Sequence, residues 1–352
     1  MSRKVRVIAP CTDFRRWGTI AYYTVKELVN RGYQVILDPL YWDFSSITES
    51  EIALELNRYR LSTVSNKESI RLLLCPIGSR WFNNLIQDTI LISHWDGSMV
   101  SPDIVSVLNK ARAIIVPSEY NLIALSGSDM TAPLYQVPFG IEPAFFAQYT
   151  FNRQTDKFIF LTCYSGSIRS SRKNIDLIIE AFQKAFPENN KNTELWIKMA
   201  GGAEPILVSD DRIKVSTISV PWKKLSILHN KVNCYVSASS CEGWDMNALD
   251  SMAHGNPVIA PRFGGYRDYF DSYVGYEIEY GYERVKSNWF LGSNYHNLQA
   301  RVSPGSLIDK MKEARWDAQK KRELSFNRAC KYTWDNYGDN LEKVILNKKL
   351  WH

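Results

Sequence analysis

Between Val232 and Pro261 the chain reads VNCYVSASSCEGWDMNALDSMAHGNPVIAP, and few architectures accept that order of residues. An apolar, β-rich run from Val232 to Ala238 gives way to small polar residues and then to a carboxylate, Glu242, on a glycine-containing turn. Met246, Leu249, Met252 and Ala253 follow at helical spacing. Gly255 supplies a left-handed stop, and Pro257 leads into a second apolar run, Val258 to Ala260. Strand, loop, helix, strand is the unit of a parallel sheet. Ligands of such sheets gather beyond the carboxyl ends of the strands, where Glu242 falls. The helix start just after it offers unpaired N–H groups and a positive dipole end, a setting suited to phosphate.

The rest of the chain repeats this style. Val5 to Ala9 reads as a short buried strand, Pro10 to Gly18 as a polar turn, Thr19 to Arg31 as a helix and Tyr33 to Asp38 as the next strand. The turn holds one glycine, Gly18, so it is no dinucleotide fingerprint. Arg15 and Arg16 suit a phosphate contact and a solvated turn equally. An aromatic loop (Tyr41, Trp42, Phe44) precedes a helix over Glu49 to Arg60, for which Thr48 and Glu51 form a capping box. Leu72 to Pro76 and Thr89 to Ser93 read as strands. The second runs into His94, Trp95 and Asp96 at its carboxyl end, which makes His94 a candidate site residue beside its commoner structural role. Ala113 to Val116 is another strand, Ser118 caps a helix over Glu119 to Ser126, and Leu134 to Val137 is a further strand. Phe139 to Pro143 is the expected crossing between domains.

Beyond it, Lys157 to Cys163 reads as a strand and Tyr164 to Arg172 as a serine-rich loop. Lys173-Asn174 introduces a helix over Ile175 to Phe186, and Leu195 to Ala200 is a strand ending at Gly201-Gly202. Residues 220–231 read as a helix. Gly264-Gly265 lies at the carboxyl end of the strand that closes the opening stretch; the two residues suit turn punctuation and ligand approach equally. Residues 276–300, rich in tyrosine and asparagine, are expected to be irregular and to pack as loops. Charged helices follow over 304–331, and a last one over Asp335 to Asn347.

A chain of 352 residues exceeds what one core serves well, so two domains are expected. No run approaches the roughly 20 apolar residues of a membrane span, and the N-terminus enters a strand without a signal-peptide core. The six cysteines show no CxxC spacing and sit largely in strand-like runs, which points to reduced thiols and a cytoplasmic setting. The formal net charge of +6 is uneven: residues 1–150 hold 14 basic and 14 acidic side chains, 151–300 hold 17 and 16, and 301–352 hold 12 and 7. The excess lies in the last helices, where alternating charges read first as a solvated face and only second as a polyanion-binding surface.

EGWDMNALDSMAHGNPVIAP resembles the signature of retaining GT-B glycosyltransferases of the glycogen synthase and mannosyltransferase superfamily (glycosyltransferase family 4-like). That signature has two glutamates separated by seven residues, then a small-residue helix and a G-x-P-V strand. Glu242 takes the first position. Asp250, one methylene shorter, takes the second. IRSSRKNIDLIIEAF is similar to the family's phosphate-lysine segment, IIVPSEYN to its late first-domain strand and helix, VPFGIEPAFF to its linker, and YTWDNYGDNLEKVI to its terminal helix. The match is strong from about Ala113 onward and weak before it.

The resemblance implies an α/β protein of GT-B type: two Rossmann-like parallel-sheet domains across a cleft, with the C-terminal helix returning to the first. Residues 1–143 with 335–352 would form the acceptor domain and 144–334 the nucleotide-sugar domain. Glu242 would lie beside the donor sugar and stabilise positive charge at the anomeric carbon, with His94 near the sugar. The N–H groups of Asp245, Met246 and Asn247 would meet the diphosphate, and Asp250 would accept from the ribose hydroxyls. Lys173, with Arg172 or Arg169, would neutralise the leaving diphosphate. Ser167 stands where the family usually has an arginine, and Trp17-Gly18 where its first-domain loop often has a glycine pair. Gly264 and Gly265 would approach the donor.

The implied activity is transfer of a sugar from a UDP- or GDP-linked donor to a hydroxyl of a glycan or glycolipid, with retention and without metal or cofactor. No clustered His/Asp set suggests a metal either. The alternatives are a non-catalytic GT-B protein that binds nucleotide or glycan, and, less favoured, a transferase acting on modified nucleic acid. Peripheral membrane contact stays open.

Overall fold

The computed structural model describes residues 4–13, 16–44, 50–60, 69–79, 81–146, 156–164, 172–200, 206–285 and 296–351. Short apolar strands separated by helices can bury both faces only in a parallel sheet covered on each side, and the chain makes two of these. The first comprises β1 (Lys4–Thr12), β2 (Gln34–Asp43), β3 (Ile70–Leu74), β4 (Ile90–Ile92), β5 (Ala113–Val116) and β6 (Leu134–Gln136), all parallel, in the order β2-β1-β3-β4-β5-β6. Its connections carry α1 (Arg16–Asn30), α2 (Glu51–Asn57), α3 (Phe82–Leu85), α4 (Pro102–Leu108) and α5 (Glu119–Ser126). After α6 (Pro143–Phe146) comes the second sheet: β7 (Phe158–Tyr164), β8 (Thr193–Met199), β9 (Ile213–Ser216), β10 (Cys234–Val236), β11 (Val258–Pro261) and β12 (Tyr276–Ile278). Its order is β12-β11-β10-β7-β8-β9, with α7 (Ile175–Ala185), α8 (Leu225–His229) and α9 (Met246–Ala253) in the connections.

Both orders reverse direction once. The first sheet reverses between β1 and β3, the second between β7 and β10. The loops leaving strands at such a reversal diverge and open a crevice at the carboxyl ends. In the second sheet those loops carry Lys173 and Glu242; in the first, the loop after β1 leads to Arg16.

The remaining elements tie the halves together. β13 (Tyr280–Arg284) and β14 (Leu298–Val302) form an antiparallel ribbon. α10 (Pro304–Ala329) packs on α7 and α9, and α11 (Trp334–Ile345) returns to lie against α1. Thr333 caps α11 by accepting from Asn336 N–H (3.1 Å), while Ile141 N–H donates to the Tyr332 carbonyl (3.0 Å). The C-terminal helix therefore belongs spatially to the first sheet, as the GT-B architecture requires.

Several local expectations change. Tyr41 and Trp42 lie in β2 rather than a loop, because β1 continues to Thr12 and offers them a ladder. A register shift at Ala9/Pro10 absorbs the two prolines, Pro10 and Pro39, which have no N–H to give. Gly18 lies in the first turn of α1, not in the turn before it. The cap of α2 is Ser50, whose hydroxyl accepts from Ala53 N–H (3.2 Å); Thr48 falls outside the described residues. Residues 220–231 hold a short 3-10 turn before α8. Among its described residues the stretch 276–300 holds β12, β13 and part of β14, and Tyr280 and Tyr282 alternate with Gly281 and Glu283 at the two-residue period of a ribbon.

Candidate active site

Glu242 follows β10 and is 4% exposed. A carboxylate with so little water must be paired or protonated. Here it is paired: Arg172 Nη1 lies 2.6 Å from Oε1, and Lys173 Nζ forms a second ion pair with the same oxygen. Burial pushes the Glu242 carboxyl upward, but the two facing cations outweigh it and hold the group below the ordinary carboxylate range. Glu242 is thus a fixed anion. Burial likewise pushes Lys173 down, and the carboxylates of Asp245 and Glu242 push it up and prevail, so it stays a cation.

Arg172 and Asn174 are tied by hydrogen bonds to the segment that carries Glu242. Ser240 N–H donates to the Arg172 carbonyl (2.6 Å), and Arg172 Nη1 donates to the Cys241 carbonyl (2.6 Å). Asn174, in the left-handed region at φ 50°, donates its side-chain amide to the Ala238 carbonyl (2.8 Å) and Ser240 Oγ (2.9 Å). Asparagine is among the few non-glycine residues that adopt that conformation readily. The phosphate-lysine segment and the Glu242 loop are therefore stitched into one surface.

Asp245 begins α9. Its Oδ1 accepts from Asn247 N–H (3.0 Å) and Ala248 N–H (3.4 Å), while Oδ2 accepts from Tyr266 Oη (2.7 Å) and lies 3.7 Å from Lys173 Nζ. The helix start expected to present open amides to a phosphate thus has two of them closed by its own capping side chain. Met246 is buried beside Asp245. Asp250, 1% exposed, lies one turn further along α9 and forms an ion pair with Arg16 of the first domain. The same Arg16 Nη2 donates to Asn247 Oδ1 (2.7 Å). Burial raises the Asp250 carboxyl to about 6, and Arg16 opposes the rise without cancelling it.

Gly264 and Gly265 lie under Glu242. Gly264 has φ +70°, and a Cβ there would come within 2.4 Å of the Glu242 carbonyl; at Gly265 it would come within 2.1 Å of the Gly243 carbonyl. Gly265 N–H donates to the Glu242 carbonyl (2.7 Å). This close approach is the reason glycine stands at both positions. At Gly18 a Cβ would meet the Thr12 carbonyl at 1.9 Å, so this glycine sets the tight turn into α1.

His94 is half-buried after β4 and stacks on Trp17 (centroids 5.2 Å apart, planes 12° apart). Its Nδ1 is buried with no hydrogen-bond partner among the described residues. Burial lowers its proton affinity, Asp96 opposes this and Arg172 adds to it, leaving a neutral imidazole near pH 7. Arg169 and Ser167 lie outside the described residues.

Two further side chains join this constellation: Asp96, which had not been named as a site residue, and Arg16, for which a phosphate contact and a solvated turn had stood equal. Asp96 Oδ2 pairs with Arg172 Nη2 (2.8 Å), and its Oδ1 accepts from Gly243 N–H (2.7 Å), so a first-domain carboxylate orients the second domain's cation and turn. Its signal was its place after His94 at a strand's carboxyl end. Arg16 is the other; in the sequence nothing separated it from a solvated arginine. Among the described residues no group of three or more His, Cys, Asp or Glu is placed to hold a metal ion, and no helix is long and apolar enough to cross a membrane.

Residues 160–279 match the family model described as Glycosyl transferases group 1. No curated protein matches the chain in sequence. Among solved structures, the chain is similar to a sucrose-phosphate synthase from Thermosynechococcus elongatus (TM-score 0.64, 14% identity, 99% of each chain) and to a glycosyltransferase from Rickettsia africae (0.64, 13%, 99% of each). It also resembles WaaG, a glycosyltransferase involved in lipopolysaccharide biosynthesis (0.63, 12%, 97% of this chain and 100% of that one). The similarity to the pneumococcal O-GlcNAc transferase GtfA, solved with UDP and GlcNAc, covers 80% of this chain but only 57% of that one (0.56, 14%). At these identities the likeness is one of fold. By fold the chain is of GT-B type, and its residues 160–279 match the model of the glycosyl transferases of group 1.

Proposed function

We propose that this protein transfers a sugar from a nucleotide-diphosphate donor to a hydroxyl acceptor, a glycan or glycolipid, with retention at the anomeric carbon. The observation that carries this reading is the buried Glu242 carboxylate with Arg172 and Lys173 against it at the reversal point of the second sheet. Departure of the leaving group builds negative charge on the diphosphate and positive charge on the sugar. Fixed cations facing the first and a fixed anion beneath the second stabilise both without reorganisation. These charges pair with one another; the donor would insert between them, with its diphosphate on Arg172 and Lys173 and its sugar on Glu242. Asp250 would take the ribose hydroxyls, and His94, held neutral, would face the sugar. Gly264 and Gly265 would allow the donor close to the backbone. No metal or cofactor is invoked, and a cytoplasmic setting is part of the reading.

UDP is the first nucleotide to try, since GtfA carries it; GDP is the second. A nucleic-acid acceptor gains no support from fold or family. Incubation with a panel of UDP- and GDP-sugars and mass-spectrometric detection of product tests the proposal. Lys173→Ala is expected to lower turnover by about two to three orders of magnitude, the usual worth of one transition-state donor, and Glu242→Gln to abolish it. Wild-type turnover in both variants would overturn the assignment. Donor binding with neither hydrolysis nor transfer would favour a non-catalytic GT-B protein, which the shortened Asp250 also fits.

A further inference from the structure

The ion pair between Arg16 and Asp250 joins the reversal points of the two sheets, and the proposed function assigns Arg16 no task. Three observations bear on it. First, the end of β1 just ahead of Arg16 is held in place. Trp222 N–H donates to the Asp13 carbonyl (2.7 Å) and Trp222 Nε1 to the Thr12 carbonyl (3.4 Å), and Gly18, in the first turn of α1, lies directly against the Thr12 carbonyl. The Arg16 guanidinium is therefore positioned by the fold. Second, Arg16 Nη2 reaches both Asn247 Oδ1 and the Asp250 carboxylate, two side chains spaced along the first turns of α9. Third, the amides of Asn247 and Ala248 are occupied by Asp245, which leaves that helix start fewer donors for an anion. A diphosphate arriving beside α9 needs a cation to replace what the amides would have given.

We infer that Arg16 is a donor-binding residue supplied by the first domain: it holds Asp250 until the nucleotide arrives, then exchanges that carboxylate for the diphosphate while the ribose hydroxyls take Asp250. The inference rests on the nucleotide-diphosphate reading of the site. The exchange conserves charge pairing throughout. Asp250 passes from a cation to hydroxyl donors, and Arg16 passes from one anion to another. It also explains why a short aspartate is tolerated, since its partner comes from across the cleft.

Calorimetric titration of the full chain with UDP, GDP and inorganic pyrophosphate tests it, with thermal melting as the folding control. Arg16→Gln is expected to bind pyrophosphate and the preferred nucleoside diphosphate roughly ten- to a hundredfold more weakly, the worth of one charge-assisted hydrogen bond. Arg16→Lys should recover part of that loss. The same loss for pyrophosphate is expected when Asp250 is already Asn, because the pairing with Asp250 is then absent and only the ligand contact remains. An Arg16→Gln protein that binds these ligands as tightly as wild type, or whose loss vanishes in the Asp250→Asn background, would reduce Arg16 to an interdomain tie and overturn the inference. Failure of the wild type to bind UDP, GDP or pyrophosphate would instead remove the nucleotide reading beneath it.

Discussion

Glu242 and Asp250 are both buried carboxylates, yet their surroundings push them in opposite directions. Glu242 has two cations on one oxygen and stays ionised; replacing it leaves Arg172 and Lys173 facing each other with little water. Removing one partner of a buried pair typically costs about 3 kcal/mol or more, so Glu242→Gln should be read with a stability measurement beside its activity. Asp250 has one cation and its carboxyl rises to about 6 from an ordinary 3.8. Between about pH 4 and pH 6 the folded protein thus holds a proton that the unfolded chain has released, and this group's contribution to stability falls as pH rises through that window. Asp250→Asn removes the titration. Unfolding free energies measured across pH should show wild type gaining on the variant by roughly 2 kcal/mol as pH drops from 7 to 4. A constant difference between the two proteins would contradict the raised carboxyl.

At the scale of elements, the site depends on a few places where backbone passes very close to backbone. The turn after β11 runs beneath the Glu242 loop with no room for a side chain: a Cβ at Gly265 would come within 2.1 Å of the Gly243 carbonyl. Gly265→Ala must therefore push the Glu242 loop away from Arg172 and Lys173. A stability loss of about 1–3 kcal/mol is expected from such overpacking, together with a fall in transfer out of proportion to it. An unchanged melting temperature and unchanged turnover would mean the two loops are not in register. The start of α9 is set in the same way from within: Tyr266 and Asp245 are joined by a 2.7 Å hydrogen bond, and Asp245 closes the first amides of the helix. The ribbon of β13 and β14 reaches the first domain, where Asn297 Oδ1 accepts from Met99 N–H (2.7 Å), beside the loop that carries His94 and Asp96.

For the molecule as a whole, the cleft is spanned by paired charges and hydrogen bonds: Arg16 with Asp250, Asp96 with Arg172 and Gly243, and Ser118 Oγ, which donates to the Gly243 carbonyl (2.9 Å). Behind the cleft, α11 fastens the end of the chain to its beginning. Tyr337, 1% exposed, shares a 2.7 Å hydrogen bond with Thr24, and Arg31 pairs with Asp335 (3.0 Å) and Asp339 (2.6 Å). Tyr337→Ala should cost roughly 3–5 kcal/mol. In hydrogen exchange the loosening should appear in α1 and β1, three hundred residues away in sequence and adjacent in space. Deprotection confined to α11 would show that the helix docks without supporting the first sheet.

The parallel two-sheet architecture, the strand–loop–helix–strand unit at 232–261, and Glu242 as a candidate were legible in order and spacing, because those features are local; Lys173 was a candidate only through the family resemblance of its segment. Apolar period, a glycine stop, and a carboxylate after a strand need no knowledge of what lies opposite. What stayed hidden is what depends on distant neighbours. Arg16 was indistinguishable from a solvated arginine until Asp250 stood against it, and Asp96 from a loop carboxylate until Arg172 did. Tyr41 and Trp42 became strand only because β1 ran on to pair with them, and Asp245, a residue type that caps helices, closes α9 amides that had been expected to face a phosphate. Which charges face one another across the cleft is decided by how the two sheets are set against each other. That arrangement brings together residues hundreds of positions apart, and no local pattern encodes their distance.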